Sequence, residues 1–302
     1  MSAATKAVVL AAALAFAGAC SESGGDGGAG GSGGGGGTPS DGGTPNAGGN
    51  PSSGGSPGVG AGEPGGGGSG GSPQALLLSD GFEADAVGAM PDPDTWVPSI
   101  TGDGTIEVSN ERAHNGTQSL HVVSPSGSYE TFVHTTMPFP VTNNTFWGRL
   151  YFYIDSTMPT DFVHWTVMEA RGQGSDNRVR IGGINNGSDQ GFYGHSFLFN
   201  VETQGQGEIA IDDEPRPQVP AGTWMCIEWM YKGVEGQNES RFFWDGVERT
   251  KLHAEVDFFE GIYAMPAFDR LYVGWGIYQP IDEPYEVWID DVAVAGERIG
   301  CD

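Results

Sequence analysis

The sequence predicts an all-β fold for residues 76–302, an antiparallel two-sheet β-sandwich of jelly-roll type, and three observations carry that prediction. Short segments rich in aromatic and β-branched residues alternate in polarity with a period of two. Turn signals such as Asn186-Gly187, Pro220-Ala221-Gly222 and Asp245-Gly246 separate them. Helical periodicity is absent, so two sheets packed face to face are the economical way to bury the apolar sides.

Ahead of that domain the chain changes character twice. Lys6 precedes an apolar run from Ala7 to Ala17 that is shorter than the about 20 residues a membrane-spanning helix needs. Residues 1–19 therefore read as a secretory signal. Cys20 follows Ala17-Gly18-Ala19, a small-residue approach that suits a lipoprotein signal with a diacylglyceryl thioether on Cys20. An ordinary signal peptide with an incidental cysteine is the alternative. Residues 20–75 are almost wholly Gly, Ser, Pro, Thr, Ala, Asn and acids, and such a composition cannot offset its ordering entropy by burial. The expectation is a disordered tether with a root-mean-square span on the order of 40 Å. Together these readings describe an exported protein, lipid-anchored to a bacterial membrane at the outer membrane or cell surface.

Strands are expected at Ser119–Val123, Phe146–Ile154, Val163–Met168, Arg178–Ile181, Met225–Tyr231, Arg241–Trp244, Leu271–Tyr278 and Glu286–Val294. Their alternation separates two kinds of face. Phe146, Leu150, Phe152 and Ile154 oppose Trp147, Arg149, Tyr151 and Tyr153. Arg178, Arg180 and Gly182 oppose Val179 and Ile181, and Tyr272, Gly274, Gly276 and Tyr278 oppose Leu271, Val273, Trp275 and Ile277. One face of each is core. The other carries Arg, Tyr, Trp and His, groups that stack on sugar rings and bond their hydroxyls, and its glycines would leave room for a bound chain. A solvated outer face of long amphipathic side chains is the plain alternative.

The formal net charge of −26, with only 13 Lys plus Arg, argues against a nucleic-acid partner. It also makes any polyanionic substrate depend on a locally basic cleft. Membrane contact is expected through the lipid anchor alone, and the domain is expected to be a monomer. With Cys20 assigned to the anchor, Cys226 and Cys301 remain as an even pair that an oxidising compartment would join, tying the C-terminal strand to the Cys226 strand. Two buried free thiols are the other possibility.

Six stretches in one order resemble a known family. They are Leu78-Ser79-Asp80-Gly81-Phe82-Glu83, Ala113 to Leu120, Arg178-Val179-Arg180-Ile181-Gly182-Gly183, Trp224-Met225-Cys226-Ile227-Glu228, Val273-Gly274-Trp275, and Val287 to Val292 continuing through Ile299-Gly300-Cys301. The chain here is similar to the core domain of the fungal cellulose-induced secreted protein family, a jelly roll related to glucuronan and alginate lyases. The resemblance implies a structural calcium ion, with carboxylates from Glu83 and Asp290 and oxygens from the loop of Asn115 to Gln118, in keeping with the six to eight oxygen ligands Ca²⁺ takes. It also places Cys226 and Cys301 at the family's cysteine positions.

A lyase acting on a uronic-acid polymer must neutralise the C5 carboxylate, remove the C5 proton and protonate the departing O4. The resemblance assigns the first task to Arg180, whose guanidinium can grip a carboxylate with two parallel bonds. His164 and Tyr278 are the candidates for proton transfer, with Arg149, Tyr151, Arg178 and Glu228 as substrate-binding residues. Tyr278 matches a family tyrosine, whereas His164 has no counterpart. Two departures count against activity: Arg178 stands where the family would carry His, and Ile184 where it would carry Gln. His134, His195 and His253 show no better pattern, and Glu169 near a strand end has no matched carboxylate for glycosidase chemistry. The leading reading is a lyase on a glucuronan-like polymer. A non-catalytic calcium-stabilised carbohydrate-binding module and a surface adhesion protein are the alternatives.

Overall fold

The computed structural model describes residues 75–156, 162–174, 177–185, 196–203, 206–210, 218–259 and 264–301. The signal and tether segments, Cys20, His195 and the Asn186-Gly187 turn lie outside the described residues. Among the described residues fifteen strands follow one another: β1 Leu76–Asp80, β2 Val97–Ile100, β3 Thr105–Ser109, β4 Ser119–Ser124, β5 Gly127–Thr135, β6 Thr145–Ile154, β7 Val163–Arg171, β8 Arg178–Asn185, β9 Ser196–Glu202, β10 Gln206–Ala210, β11 Trp224–Lys232, β12 Glu239–Trp244, β13 Val247–Glu248, β14 Arg270–Ile281 and β15 Tyr285–Ala295. Helix is confined, among the described residues, to one turn at Val256–Phe259 and two 3-10 turns.

The strands form two antiparallel sheets. The first runs β13-β12-β11-β6-β15-β4-β3, with β1 also on β15; the second runs β10-β9-β8-β7-β14-β5-β2. All eight strands expected from alternation are present, within one to four residues of their predicted ends. The Asp245-Gly246 turn joins β12 to β13 with both residues at positive φ, 47° and 75°. That is the geometry a two-residue hairpin with right-handed strand twist needs.

Between the sheets lies one apolar core. Trp165 of β7 stacks on Trp275 of β14 with ring centroids 5.0 Å apart, and Phe197 meets Phe152, Phe242 and Trp244 from the other sheet. Each fully buried side chain of this size stabilises the fold by roughly 1.5–3 kcal/mol relative to exposure. Cys226 and Cys301 are disulfide-bonded across a sequence separation of 75. Cys301 lies beyond β15, so the bond pins the C-terminal tail to β11, not the last strand as the sequence reading had it.

Two irregularities position the site. β7 carries an extra residue against β8 between Thr166 and Met168, and β14 shifts register against β7 between Val273 and Gly276. Such bulges re-aim the side chains that follow. Gly182 allows the first, because a Cβ there would lie 1.8 Å from the Trp165 carbonyl oxygen. Gly274 allows the second: its φ is 153°, and a Cβ would lie 2.2 Å from the Thr131 carbonyl oxygen. The glycines of β14 do not hold space open for a ligand, contrary to the sequence expectation. The Phe132 ring occupies the space beside Gly274 and Gly276, and the Tyr278 hydroxyl also crowds Gly276.

Candidate functional site

The site lies on the face of the second sheet turned away from the core. Because of the β7 bulge, His164 and Thr166 share this face with Glu169 and Arg171 rather than with Met168. Cross-strand register sets Glu169 opposite Arg180 and Arg171 opposite Arg178, and β9 adds Asn200 opposite Arg180 and Glu202 opposite Arg178. β14 contributes Tyr272 and Tyr278; β5 contributes Glu130 and His134.

His164, Thr166, Arg180, Gly182, Asn200 and Tyr278 line one small depression. The three residues expected to do chemistry, His164, Arg180 and Tyr278, therefore meet. The Arg180 guanidinium lies over the Tyr278 ring, 4.6 Å from its centroid. The Tyr278 hydroxyl donates to Glu169 Oε1 at 3.1 Å. The backbone N–H of His164 donates to Gln279 Oε1 at 2.5 Å, which fixes where that strand end enters the site.

Glu169 is fully buried and organises the cations. Its Oε2 accepts from Arg171 Nε at 2.6 Å, and its Oε1 is 3.7 Å from Arg178 Nη1. Glu202 accepts from Arg178 Nε at 2.5 Å and from Arg180 Nη2. Burial works against the charge on both guanidiniums, yet Glu169 and Glu202 beside Arg178, and Tyr278 and Glu202 beside Arg180, outweigh it and hold both above the ordinary arginine value. Burial pushes the Tyr278 phenol up to about 12, with Arg180 pulling it down and Glu169 pushing it up, so the group is protonated at neutral pH. His134, stacked on Tyr272 at 4.7 Å, is held below the usual histidine range by burial and by Arg270 and Arg171.

Arg178 joins this face as expected, but Arg149, Tyr151 and Glu228 do not. They lie on the outward face of the first sheet, on β6 and β11. Glu228 is fully buried there and holds the tail: Oε1 accepts from the N–H groups of Ile299 at 2.8 Å and Gly300 at 2.7 Å, and Oε2 from Arg298 Nε at 2.9 Å. Arg149 donates to the Gly300 carbonyl at 3.2 Å, and Tyr151 stacks on His114 at 3.5 Å. A period of two tells which residues share a face, not which sheet the strand joins. Glu202 is a site residue that sequence reasoning missed, and Glu169 one that it weighed only for glycosidase chemistry. The basic pair in β8 was the available signal, since buried guanidiniums need carboxylates.

The residues expected around a calcium ion converge where β1 and β4 meet the same edge of β15. Glu83 Oε1 accepts from the backbone N–H of Thr117 and Gln118, at 2.7 and 2.8 Å. Those two bonds, ahead of the small opposing effect of burial, hold its carboxyl below the usual range. Asp290, fully buried, accepts from the N–H groups of His114 at 2.8 Å, Asn115 at 3.2 Å and Asp291 at 2.7 Å. Asn115 Oδ1 accepts from the Gly116 N–H, while the Gln118 amide donates to the Phe82 carbonyl. Elsewhere, Glu239, His253 and Glu255 form a group able to hold a metal, with ligand atoms all within 4.8 Å. His253 Nε2 is 3.2 Å from Glu239 Oε1 and 3.6 Å from Glu255 Oε1, and Arg241 also donates to Glu239 at 2.8 Å.

Known proteins share this architecture. Residues 88–297 match the model of a polysaccharide-lyase-like family described as Cip1-like, core domain. The solved structure of the cellulose induced protein Cip1 is similar with a TM-score of 0.54 at 20% identity, over 74% of this chain and 100% of that one. The endo-β-1,4-glucuronan lyase from the fungus Trichoderma reesei is similar with a TM-score of 0.51 at 13% identity, over 74% of this chain and 96% of that one. At those identities the likeness shows a common fold. No curated protein matches the chain. With its domain matched from residue 88 to residue 297, the chain belongs to the Cip1-like family.

Proposed function

We propose that the protein is a surface-anchored polysaccharide lyase that cleaves a uronic-acid polymer such as glucuronan by β-elimination. The observation that carries this reading is the meeting of His164, Arg180 and Tyr278 in one depression. Arg180 neutralises the carboxyl group attached to C5, which lowers the cost of carbanion character at that carbon. His164 takes the C5 proton. The electron pair left behind forms the C4–C5 double bond as the C4–O4 bond breaks. Tyr278, held protonated by burial, turns its hydroxyl from Glu169 and gives its proton to O4. One proton enters the enzyme and one leaves, and no water is consumed. The test is ultraviolet absorbance from the new conjugated double bond on incubation with glucuronan: a rise that Arg180→Ala abolishes supports the reading, and no rise with any uronic polymer refutes it.

The same reading assigns a structural calcium ion to the junction of β1, β4 and β15. Asp290 is buried with backbone N–H donors as its hydrogen-bond partners and no cationic side chain against it among the described residues, and the Oδ1 atoms of Asp290 and Asp291 both flank Gly81. Glu83, Asp290 and the carbonyls of the loop from Asn115 to Gln118 would hold the ion, which would supply cross-linking of chain segments far apart in sequence. Export through the signal of residues 1–19 and lipid attachment at Cys20 belong to the same reading, and the Cys226–Cys301 disulfide suits an oxidising compartment. The binding-module alternative is favoured by one observation, the engagement of both site guanidiniums by Glu202. Sugar affinity without product would establish it.

A further inference from the structure

The guanidinium pair beside the depression already holds a carboxylate. Glu202 spans the two, with Oε2 on Arg178 Nε at 2.5 Å and Oε1 on Arg180 Nη2. Both partners of the second contact are largely shielded from solvent, since the side chains of Arg180 and Glu202 are each 11% exposed. Arg178 is further enclosed by Glu130 at 3.6 Å and Glu169 at 3.7 Å. Arg171, Arg178 and Arg180 thus face Glu130, Glu169 and Glu202, and these charges balance among the described residues. Among the described residues, Arg180 Nε is buried and makes no hydrogen bond.

A free uronate entering this site brings a negative charge against Glu202, inside a chain whose formal net charge is −26. A uronosyl residue whose carboxyl is esterified brings only a carbonyl acceptor, which one donor satisfies. The ester also withdraws electrons from C5, so the proton there is the easier to remove. We propose that Glu202 is an internal stand-in for a substrate carboxylate, and that it sets the site to prefer esterified uronosyl residues over free uronates. This rests on the lyase reading for its chemistry, while the charge preference itself is a property of binding.

The experiment compares oligomers of polyglucuronate and of its methyl ester, on the full-length protein and on Glu202→Gln, by calorimetric affinity and by ultraviolet product formation. The expected result is that the unaltered protein favours the ester by about tenfold or more, equivalent to about 1.4 kcal/mol, and that Glu202→Gln reverses the order by leaving the Arg180 guanidinium without its carboxylate. Affinity of the unaltered protein for the free uronate should also rise as salt screens that repulsion, while affinity for the ester should stay flat. That measurement, with the wild-type ratio, decides the matter if the variant does not fold. The ester preference and its reversal without any product would overturn the lyase reading and leave the role of Glu202 standing. Cleavage with a preference for the free uronate, or a ratio unmoved by Glu202→Gln, would overturn the role of Glu202 and leave the lyase reading standing. Affinity for neither oligomer would overturn both.

Discussion

Glu228 offers the sharpest test of how the first sheet holds its tail. Both backbone donors, from Ile299 and Gly300, converge on Oε1, whereas Oε2 accepts from Arg298, whose side chain is 45% exposed. A charge-assisted hydrogen bond contributes about 1.5–3 kcal/mol, and an ion pair with a solvent-facing arginine about 0–1 kcal/mol. Glu228→Ala removes all three and leaves two donors without their acceptor, so it should cost about 3–5 kcal/mol. Glu228→Gln keeps a carbonyl oxygen for the two N–H groups and loses the arginine contact and the charge, so it should cost about 1–2 kcal/mol. Urea denaturation of the disulfide-intact protein gives both values. Equal losses for Gln and Ala would refute the assignment of the energy to the two N–H bonds. Because Glu228 lies on the sheet away from the depression, product formation per folded molecule should be unchanged in both variants.

Four further outcomes follow from the structure together with the proposed function. Cys226→Ser combined with Cys301→Ser should lower stability by about 4 kcal/mol, the chain-entropy value for a loop of this length, and a calorimetric melt with and without reductant on the parent protein should show the same loss. Tyr278→Phe should abolish product while leaving oligomer affinity within about twofold, as removal of a proton donor that acts in the transition state requires. The folded-state value of this phenol, about 12, lies above its unfolded value of 10.0, so the stability it contributes is full below pH 10 and is lost as pH rises through 12. A rate profile that falls between pH 7 and 9 from a phenol-like ionisation would contradict that environment. Removing divalent metal with a chelator should lower the melting temperature, calcium should restore it, and Asp290→Asn should make the melt insensitive to both.

Much of the fold was legible in alternation alone. The strands that were read, such as Phe146–Ile154 and Leu271–Tyr278, are long and interior to their sheets, with Phe, Leu, Ile, Val or Trp at every second position apart from Gly148. Those that were not read include β2, which is short and mostly exposed, and β10, at the edge of its sheet. The candidate site was legible in part. Arg180 and Tyr278 were visible through family-like stretches, and His164 through its place on a polar strand face. Glu169 was misjudged for a physical reason: strict alternation counts it with the apolar side of β7, and the bulge beside Thr166 moves it to the other.

By itself, the sequence determined what period and composition encode: an all-β sandwich, the residues sharing each strand face, a pair of cysteines within the domain, and a strongly acidic chain. Local rules suffice there because alternation and charge belong to neighbouring residues. Only the tertiary structure decided which sheet each strand joins, and so that Arg149, Tyr151 and Glu228 serve the tail while His164, Arg180 and Tyr278 meet. Pairing brings together residues more than 100 positions apart, as in Tyr278 and Glu169 at a separation of 109. No local pattern carries that information, because which strands become neighbours is settled by how the whole chain buries its apolar faces at once.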